Sequence, residues 1–518
     1  MAPSAMKAPK AAPSSPAKAK PTIQKKKAVA KAGSVPAALF KKGKIDKSVV
    51  KAHTSMTREK WLKFQEGMDE KWPLPDYMEG QKGHTKFKDE TFEIITRWTT
   101  NTRIEYRPHA KAPGSKSHLR YEKYSKAKTV GEALKLSSYP IDWCWDYERG
   151  FIKICEGAEL RDEPLDIAKA EEEVTEVDMA INIWYTKELA KELNMKPEEL
   201  RKSAGHAESV HHRAKRLMAQ REACSILEAC DKEGRAVRDE EILSILKRWP
   251  FCRNYTRKNV LPGDRTWVFS DTLGLLRDRC GDLHLTVATR RYPQVPELMN
   301  RWLQDRIPKE AKGFVWTTIN VNCNYAAAVH RDQGNFGPSF IKAFGDFTGG
   351  ELDYWPEDAG GNLEKLSAKD KVTINLKENL ALFNGNCAHS VHDFTGSRFS
   401  IVFFTVGSHA AATNEDKDKM SKLGFNVPAK NADPFIALKP PKALIKKEPT
   451  RWGAKAKLPG YISFSSNKVS VIKRGKKSAA EAKKLAQSRV VPEEQRTFYS
   501  AKDRALLKAQ AKKMKKEA

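Results

Sequence analysis

The sequence predicts an α+β protein. A β-rich region in the C-terminal half is packed by helices, and basic tails flank the whole. Three observations predict it. Between 314 and 404, short apolar segments alternate with a period of two: Val372, Ile374 and Leu376, then Phe399, Ile401 and Phe403. Strands buried on one face read this way. Between 179 and 250, apolar residues recur at helical spacing, as Leu217, Cys224 and Leu227 do. The two ends, 1–52 and 439–518, are rich in Lys and Ala and cannot bury a core.

At 518 residues the chain has room for two or three domains. Residues 1–52 read as a disordered basic tail, similar in composition to a linker-histone tail. Residues 53–155 read as folded on Trp61, Phe64, Trp72, Phe92, Ile95 and Trp98. Within them, 103–128 holds eight basic residues and two acids, interleaved with Tyr106, Tyr121 and Tyr124. That mixture suits phosphate contact and base stacking, and it equally suits a solvated face with tyrosines packed beneath it. Arg103, Arg107, Lys116, Arg120 and Lys123 are the candidate nucleic-acid contacts. The aromatic run from Ile141 to Tyr147 reads as core.

Residues 156–250 begin with an acidic block, ten acids against two bases from 156 to 178, and continue as helices that end at Trp249-Pro250. From 251 to 410 the pattern is mixed. Thr266 to Phe269 and His284 to Ala288 read as strands, and Pro296 to Ile307 reads as a helix. Phe314 to Tyr325, Lys371 to Leu376 and Leu380 to Phe383 are further strands, and Gln333 to Ser339 is a Gly- and Pro-containing loop. Residues 411–438 form an extension, and 439–518 a second, mostly disordered basic tail with a short ordered piece at Tyr461 to Phe464.

Charge and cysteine usage narrow the function. The net charge is +29; residues 1–52 carry +12 of it and 439–518 carry +17, so the body between them is neutral. Such tails bind polyanions through counterion release, with little sequence preference. No apolar run is long enough to span a membrane, and the N-terminus has no secretory h-region. The eight cysteines are scattered with no C-x-x-C pair, which fits reduced thiols in an intracellular compartment rather than a disulfide frame or a zinc site.

Four motifs lie within the β-rich region: Val329-His330-Arg331-Asp332, Gly349-Gly350-Glu351-Leu352, Ala388-His389-Ser390-Val391 and Ser397-Arg398-Phe399-Ser400. In a strand, positions i and i+2 share a face. His330 and Asp332 can therefore reach one ion while Arg331 points away, and Arg398 and Ser400 share a face in the same way. In order, the four resemble the H-x-D…H…R-x-S pattern of the Fe(II)/2-oxoglutarate-dependent dioxygenase superfamily. The resemblance implies a double-stranded β-helix, a jelly-roll barrel buttressed by helices. It implies Fe(II) held by His330, Asp332 and His389, with two imidazoles and one carboxylate on one face of the metal. It also implies 2-oxoglutarate as cosubstrate, its far carboxylate on the fork of Arg398 beside Ser400, with Asn324 and Tyr325 as further contacts. His392 competes with His389 for the third ligand position, but it falls almost in the turn before Arg398.

The resemblance leaves the substrate open. His330-Arg331-Asp332 and the run from Gly345 to Glu351 are similar to the TET and base-J-type dioxygenases, which oxidise a 5-methylpyrimidine base in DNA. The nine-residue step from His389 to Arg398 is similar to the prolyl-hydroxylase branch, which hydroxylates protein. A third reading is a non-catalytic chromatin-binding protein. The basic tails favour nucleic acid as partner, DNA first, and a nuclear location; the oligomeric state has no sequence signal. Removing residues 1–52, with their thirteen lysines, is expected to weaken DNA binding and to flatten its salt dependence. The log–log slope should fall by roughly 0.9 for each phosphate that the tail no longer neutralises. Salt titration of full-length and shortened protein measures it, and an unchanged slope would make this tail a bystander.

Overall fold

The computed structural model describes residues 56–492 apart from 81–86, 166–172, 204–208, 258–259, 262, 264, 278–280 and 470–476. The tail 1–52, the middle of the acidic block and the last residues from 493 lie outside the described residues. The chain divides into two units, Met1–Thr91 with Trp98–Leu160, and Phe92–Arg97 with Arg161–Ala518.

In the first unit, a two-stranded ribbon of β1 (Ile104–Tyr106) and β2 (Ile152–Ile154) meets helices Lys116–Tyr124 and Pro140–Tyr147. Ser115 caps the first helix, its hydroxyl accepting from the His118 amide. Trp98, Trp143, Tyr121 and Tyr124 are fully buried between these elements. The tyrosines of 103–128 therefore face inward. Tyr124 donates to Asp146, whose carboxylate also holds Lys111 at 2.8 Å, and Tyr121 donates to the carbonyls of Arg107 and Phe151. A buried Lys–Asp pair must be hydrogen-bonded on all sides, and the tyrosine hydroxyls help to do that. The base-stacking reading of these tyrosines is thus overturned. In the aromatic run, Trp143 is core but Trp145 is 45% exposed, because the segment is a helix and the two indoles lie on different faces.

Alternation along the long strands shapes the second unit. β3 (Arg253–Asn254), β4 (Val268–Arg277), β5 (Leu283–Leu285), β6 (Thr318–Cys323) and β7 (Ser339–Gly349) come first. β8 (Leu352–Tyr354), β9 (Val372–Ile374), β10 (Asn379–Phe383), β11 (His389–Val391), β12 (Phe394–Phe404) and β13 (Ile462–Ser465) follow. The large antiparallel sheet has the order β13-β10-β7-β12-β6-β4-β3, with β5 on β4; a small one has the order β11-β8-β9. Phe340 and Phe344, Leu380 and Leu382, and Phe399, Ile401 and Phe403 share a core with helices Val210–Glu233, Asp239–Arg248 and Gln294–Gln304. The opposite parity, Ile341, Ala343, Ala381 and Phe383, shares a second core with Leu352, Tyr354 and Ile374 of the small sheet. The fold is α+β with two antiparallel sheets and no closed barrel among the described residues. The strands of the small sheet have three residues each and pair only with one another.

Two further expectations change. The strand read over 284–288 stops at Leu285, because Thr286 caps a helix, Val287–Arg291, by accepting from the Thr289 amide. The basic segment from Lys439 is not wholly a tail. β13 pairs with β10 from Leu382↔Ile462 to Asn379↔Ser465, and Arg489 pairs with Asp231 and Glu297. No described helix is long and apolar enough to cross a membrane.

Gly345 sits inside β7 with φ of 122°, opposite Arg398 of β12, and a Cβ there would lie 2.2 Å from the Ser397 carbonyl oxygen. Gly345→Ala should destabilise the protein by about 3 kcal/mol or more, combining left-handed strain with a backbone clash. Chemical denaturation measures it; a loss under about 1 kcal/mol would mean that the β7–β12 ladder yields easily.

Candidate metal centre

The inner parity of β12 carries Arg398 and Ser400, facing away from the helices that pack on Phe399 and Ile401. On the small sheet, β11 begins at His389, which pairs with Tyr354 of β8 and packs edge-on to Phe383. The segment ahead of β7 runs beside β11: the amides and carbonyls of His330 and His389 exchange hydrogen bonds at 2.9 and 3.0 Å. His330 is thus held by an isolated bridge rather than by a regular strand. Asp332 follows in an irregular stretch, its amide donating to the Gly385 carbonyl at 2.7 Å.

His330, Asp332 and His389 converge, with one ligand atom of each within 4.8 Å of the others. His330 Nε2 lies 3.6 Å from Asp332 Oδ1, and His389 Nε2 lies 3.9 Å from Oδ2. The other ring nitrogens are committed. His330 Nδ1 is 2.7 Å from the Ala328 carbonyl oxygen, and His389 Nδ1 is 2.9 Å from that of Cys387. A carbonyl oxygen only accepts, so each Nδ1 donates its proton there, which leaves Nε2 as the ring atom facing Asp332. Burial, and then the nearby His330, push His389 down to about 4, so its imidazole is neutral at ordinary pH. Burial works against ionisation of Asp332, but the hydrogen bond with His330 and the neighbouring imidazoles overcome it, holding the carboxyl well below the usual range. Two imidazoles offering Nε2 and an ionised carboxylate are a donor set that fits a non-haem Fe(II) ion.

A clamp that sequence reasoning missed holds the two histidine segments together. Arg331 points away from the triad and forks onto Asp358, Nε at 2.6 Å and Nη2 at 2.9 Å. Asp358 also accepts from the amide of Ala388 at 2.7 Å, next to His389. A single buried carboxylate therefore fixes the neighbours of all three triad residues. Asn335, also missed, donates to Asp332 Oδ2 at 3.2 Å, and Gly385 leaves the room: a Cβ there would meet that oxygen at 2.9 Å. His392 does not join the triad. It sits between Asp353 at 2.7 Å and Glu351 at 3.3 Å.

Arg398 is 3% exposed, flanked by the rings of Phe347 and Phe394 at 5.5 and 5.6 Å. It makes one side-chain hydrogen bond, to the Gly350 carbonyl at 3.1 Å; its Nε has no partner, and no carboxylate among the described residues pairs with it. Burial pushes its pKa down to about 10. A Cβ on Gly350 would lie 2.7 Å from Arg398 Nε, which explains the second glycine of the Gly-Gly pair. A buried guanidinium with an unsatisfied N–H fits a carboxylate ligand.

The other candidates sort by what they already hold. Ser400 accepts from Asn322, and Tyr325 donates to the Asn322 side-chain oxygen, so the three form one buried network beside Arg398. Asn324 is spoken for: its side-chain oxygen accepts from the Arg398 amide, and its left-handed backbone, φ of 49°, returns an amide to the Arg398 carbonyl. It positions Arg398 rather than offering that oxygen to a ligand. In the first unit, Arg103 donates to the Glu156 carbonyl, Arg107 is buried on Gln65 and Asp69, and Arg120 pairs with Asp142. Lys123 is exposed, and the side chain of Lys116 lies outside the described residues.

No family model and no curated protein matches the chain. Among solved structures it resembles that of NgTET1 in complex with 5mC DNA, at 18% sequence identity over 30% of this chain and 68% of that one, with a TM-score of 0.20. A likeness that slight carries no argument about function.

His330→Ala, Asp332→Ala and His389→Ala should each weaken divalent-metal binding by more than the roughly 10–100-fold that loss of an outer partner costs, while His392→Ala leaves it near wild type. Titration with Co(II), followed by its ligand-field absorbance, reads this directly. A silent His389→Ala beside a defective His392→Ala would reassign the third ligand.

Proposed function

We propose that this protein is an Fe(II)- and 2-oxoglutarate-dependent dioxygenase that hydroxylates a base of nucleic acid, of the 5-methylpyrimidine type. The observation that carries the enzyme class is the pairing of a buried His-Asp-His cluster with a buried, anion-seeking guanidinium. The two antiparallel sheets sharing a core support a double-stranded β-helix as the underlying fold.

His330, Asp332 and His389 would hold the metal by Nε2, a carboxylate oxygen and Nε2. When bound, Fe(II) would supply activation of dioxygen, the oxidant, with 2-oxoglutarate as co-reductant: one oxygen atom of O2 would enter succinate as carbon dioxide is lost, and the other would enter a substrate C–H bond. The chain does the rest. Arg398 takes the far carboxylate, with the Ser400–Asn322–Tyr325 network alongside. Phe347 and Phe394 exclude water from that ion pair, which strengthens it. A base inside a duplex has to leave the stack to reach such a buried centre.

The substrate class rests on sequence. The tails carry the whole net charge, which suits a polyanionic substrate and a nuclear location. The nine-residue step from His389 to Arg398 favours a second reading, a protein hydroxylase. Mass spectrometry of DNA and of histones after incubation with enzyme, Fe(II) and 2-oxoglutarate separates the two. An oxidised base supports the first, hydroxylated protein replaces it with the second, and neither product without succinate removes the enzyme class.

Arg398→Lys should raise the 2-oxoglutarate concentration needed for half-maximal succinate formation by about 10- to 100-fold, the value of one charged hydrogen bond. Metal affinity should change far less. An equal loss of both would make Arg398 a structural residue.

A further inference from the structure

The first unit holds a cleft of about 310 Å³ that none of the chemistry above uses. Its walls include Trp61, Leu74 and Phe151, and its charged groups are Arg107, Asp69 and Arg149. Trp61 is fixed by its indole N–H, which donates to the His109 carbonyl at 2.6 Å. Gly150 fixes the turn that brings Arg149 and Phe151 to the cleft: its φ is 63°, and a Cβ would lie 2.6 Å from the Trp72 carbonyl oxygen.

The charges do not balance. Arg107 donates to Asp69 at 2.6 Å, so those two cancel. Arg149 has no carboxylate partner among the described residues; it donates only to the Trp145 carbonyl at 3.2 Å. Burial lowers its pKa, and the more distant carboxylates of Glu148 and Asp146 offset that only in part. Its guanidinium lies over the Trp145 ring, 3.3 Å from the centroid, and that indole is 45% exposed. Ile141, one turn earlier on the same helix, is 50% exposed. The cleft thus offers aromatic walls, one uncompensated guanidinium and an open aromatic shelf beside it.

We propose that this cleft binds a nucleotide of single-stranded nucleic acid, the base against the aromatic walls and its phosphate on Arg149. A flat ring with one adjoining anion matches a site with aromatic faces and a single free cation. An acidic peptide would need several free cations, and Arg107 is already neutralised. The volume suits one nucleotide and excludes a helix. The nucleic-acid contact of the first unit therefore moves from the tyrosines of 103–128, which are buried, to the opposing elements 61–74 and 145–151.

The test uses the full chain and a short single-stranded oligonucleotide carrying thiothymidine, without metal or 2-oxoglutarate, so its outcome is independent of the dioxygenase reading. After ultraviolet crosslinking, peptides holding Trp61, Trp145 or Phe151 should carry the adduct. Arg149→Ala should reduce those adducts and weaken binding at raised salt about tenfold. Leu74→Glu, at a position already 47% exposed, should do likewise by repelling phosphate while leaving the fold intact. An excess of unlabelled oligonucleotide should compete the adducts away. Adducts confined to the basic tails, adducts unchanged in both variants, or displacement by an acidic peptide but not by unlabelled oligonucleotide would overturn the proposal.

Discussion

The arrangement of the second unit depends on burying Arg398. A guanidinium held inside the protein is costly unless its N–H groups find oxygen. The structure supplies one carbonyl, from Gly350, and leaves Nε bare. To get that far it gives up side chains at 349 and 350, turns the backbone left-handed at both, and uses Asn324 to tie down the backbone at 398. Gly350, an Asn in a left-handed conformation and two flanking phenylalanines all serve one side chain, while Gly349 makes room for the Asp393 carbonyl. Such a concentration of constraint around an unsatisfied cation is what the proposed role of Arg398 as a carboxylate-binding group rests on.

The metal cluster is built on another plan. Each imidazole is aimed by a backbone carbonyl two residues before it, so the aim is built into the local chain path. Arg331 and Asp358 then lock the two paths together. The residue between the first two ligands is thus no spacer: its charge is what joins the segment of His330 and Asp332 to that of His389.

Much of this was legible from the sequence where a period of two was at work. Phe399, Ile401 and Phe403 facing the helices leaves Arg398 and Ser400 facing the other way, and the structure has them so. The convergence of His330, Asp332 and His389 was what the motif resemblance implied, and the three do come together. What escaped is what depends on partners far along the chain. Nothing marks Asp358 among other acids until Arg331 and Ala388 are seen to reach it. The tyrosines at 121 and 124 have the same spacing whether they face water or core; the buried pair Lys111–Asp146 decides, and it joins two segments that no local pattern links. The piece at 461–464 was legible as ordered, but its place as the edge strand beside β10 was not, since that partner lies some eighty residues earlier in the chain.

The clamp through Asp358 bears on how the proposed dioxygenase would acquire a metal. In small zinc domains the ion organises the chain, and its removal unfolds it. Here the three side chains are aimed by carbonyls and an ion pair of the chain itself, so under the proposed function folding and metal loading would be separate events. The folded chain could then lose and regain a metal without being remade. The fraction of active molecules would then follow the local supply of iron rather than the history of synthesis, and the protein would respond to that supply within its own lifetime.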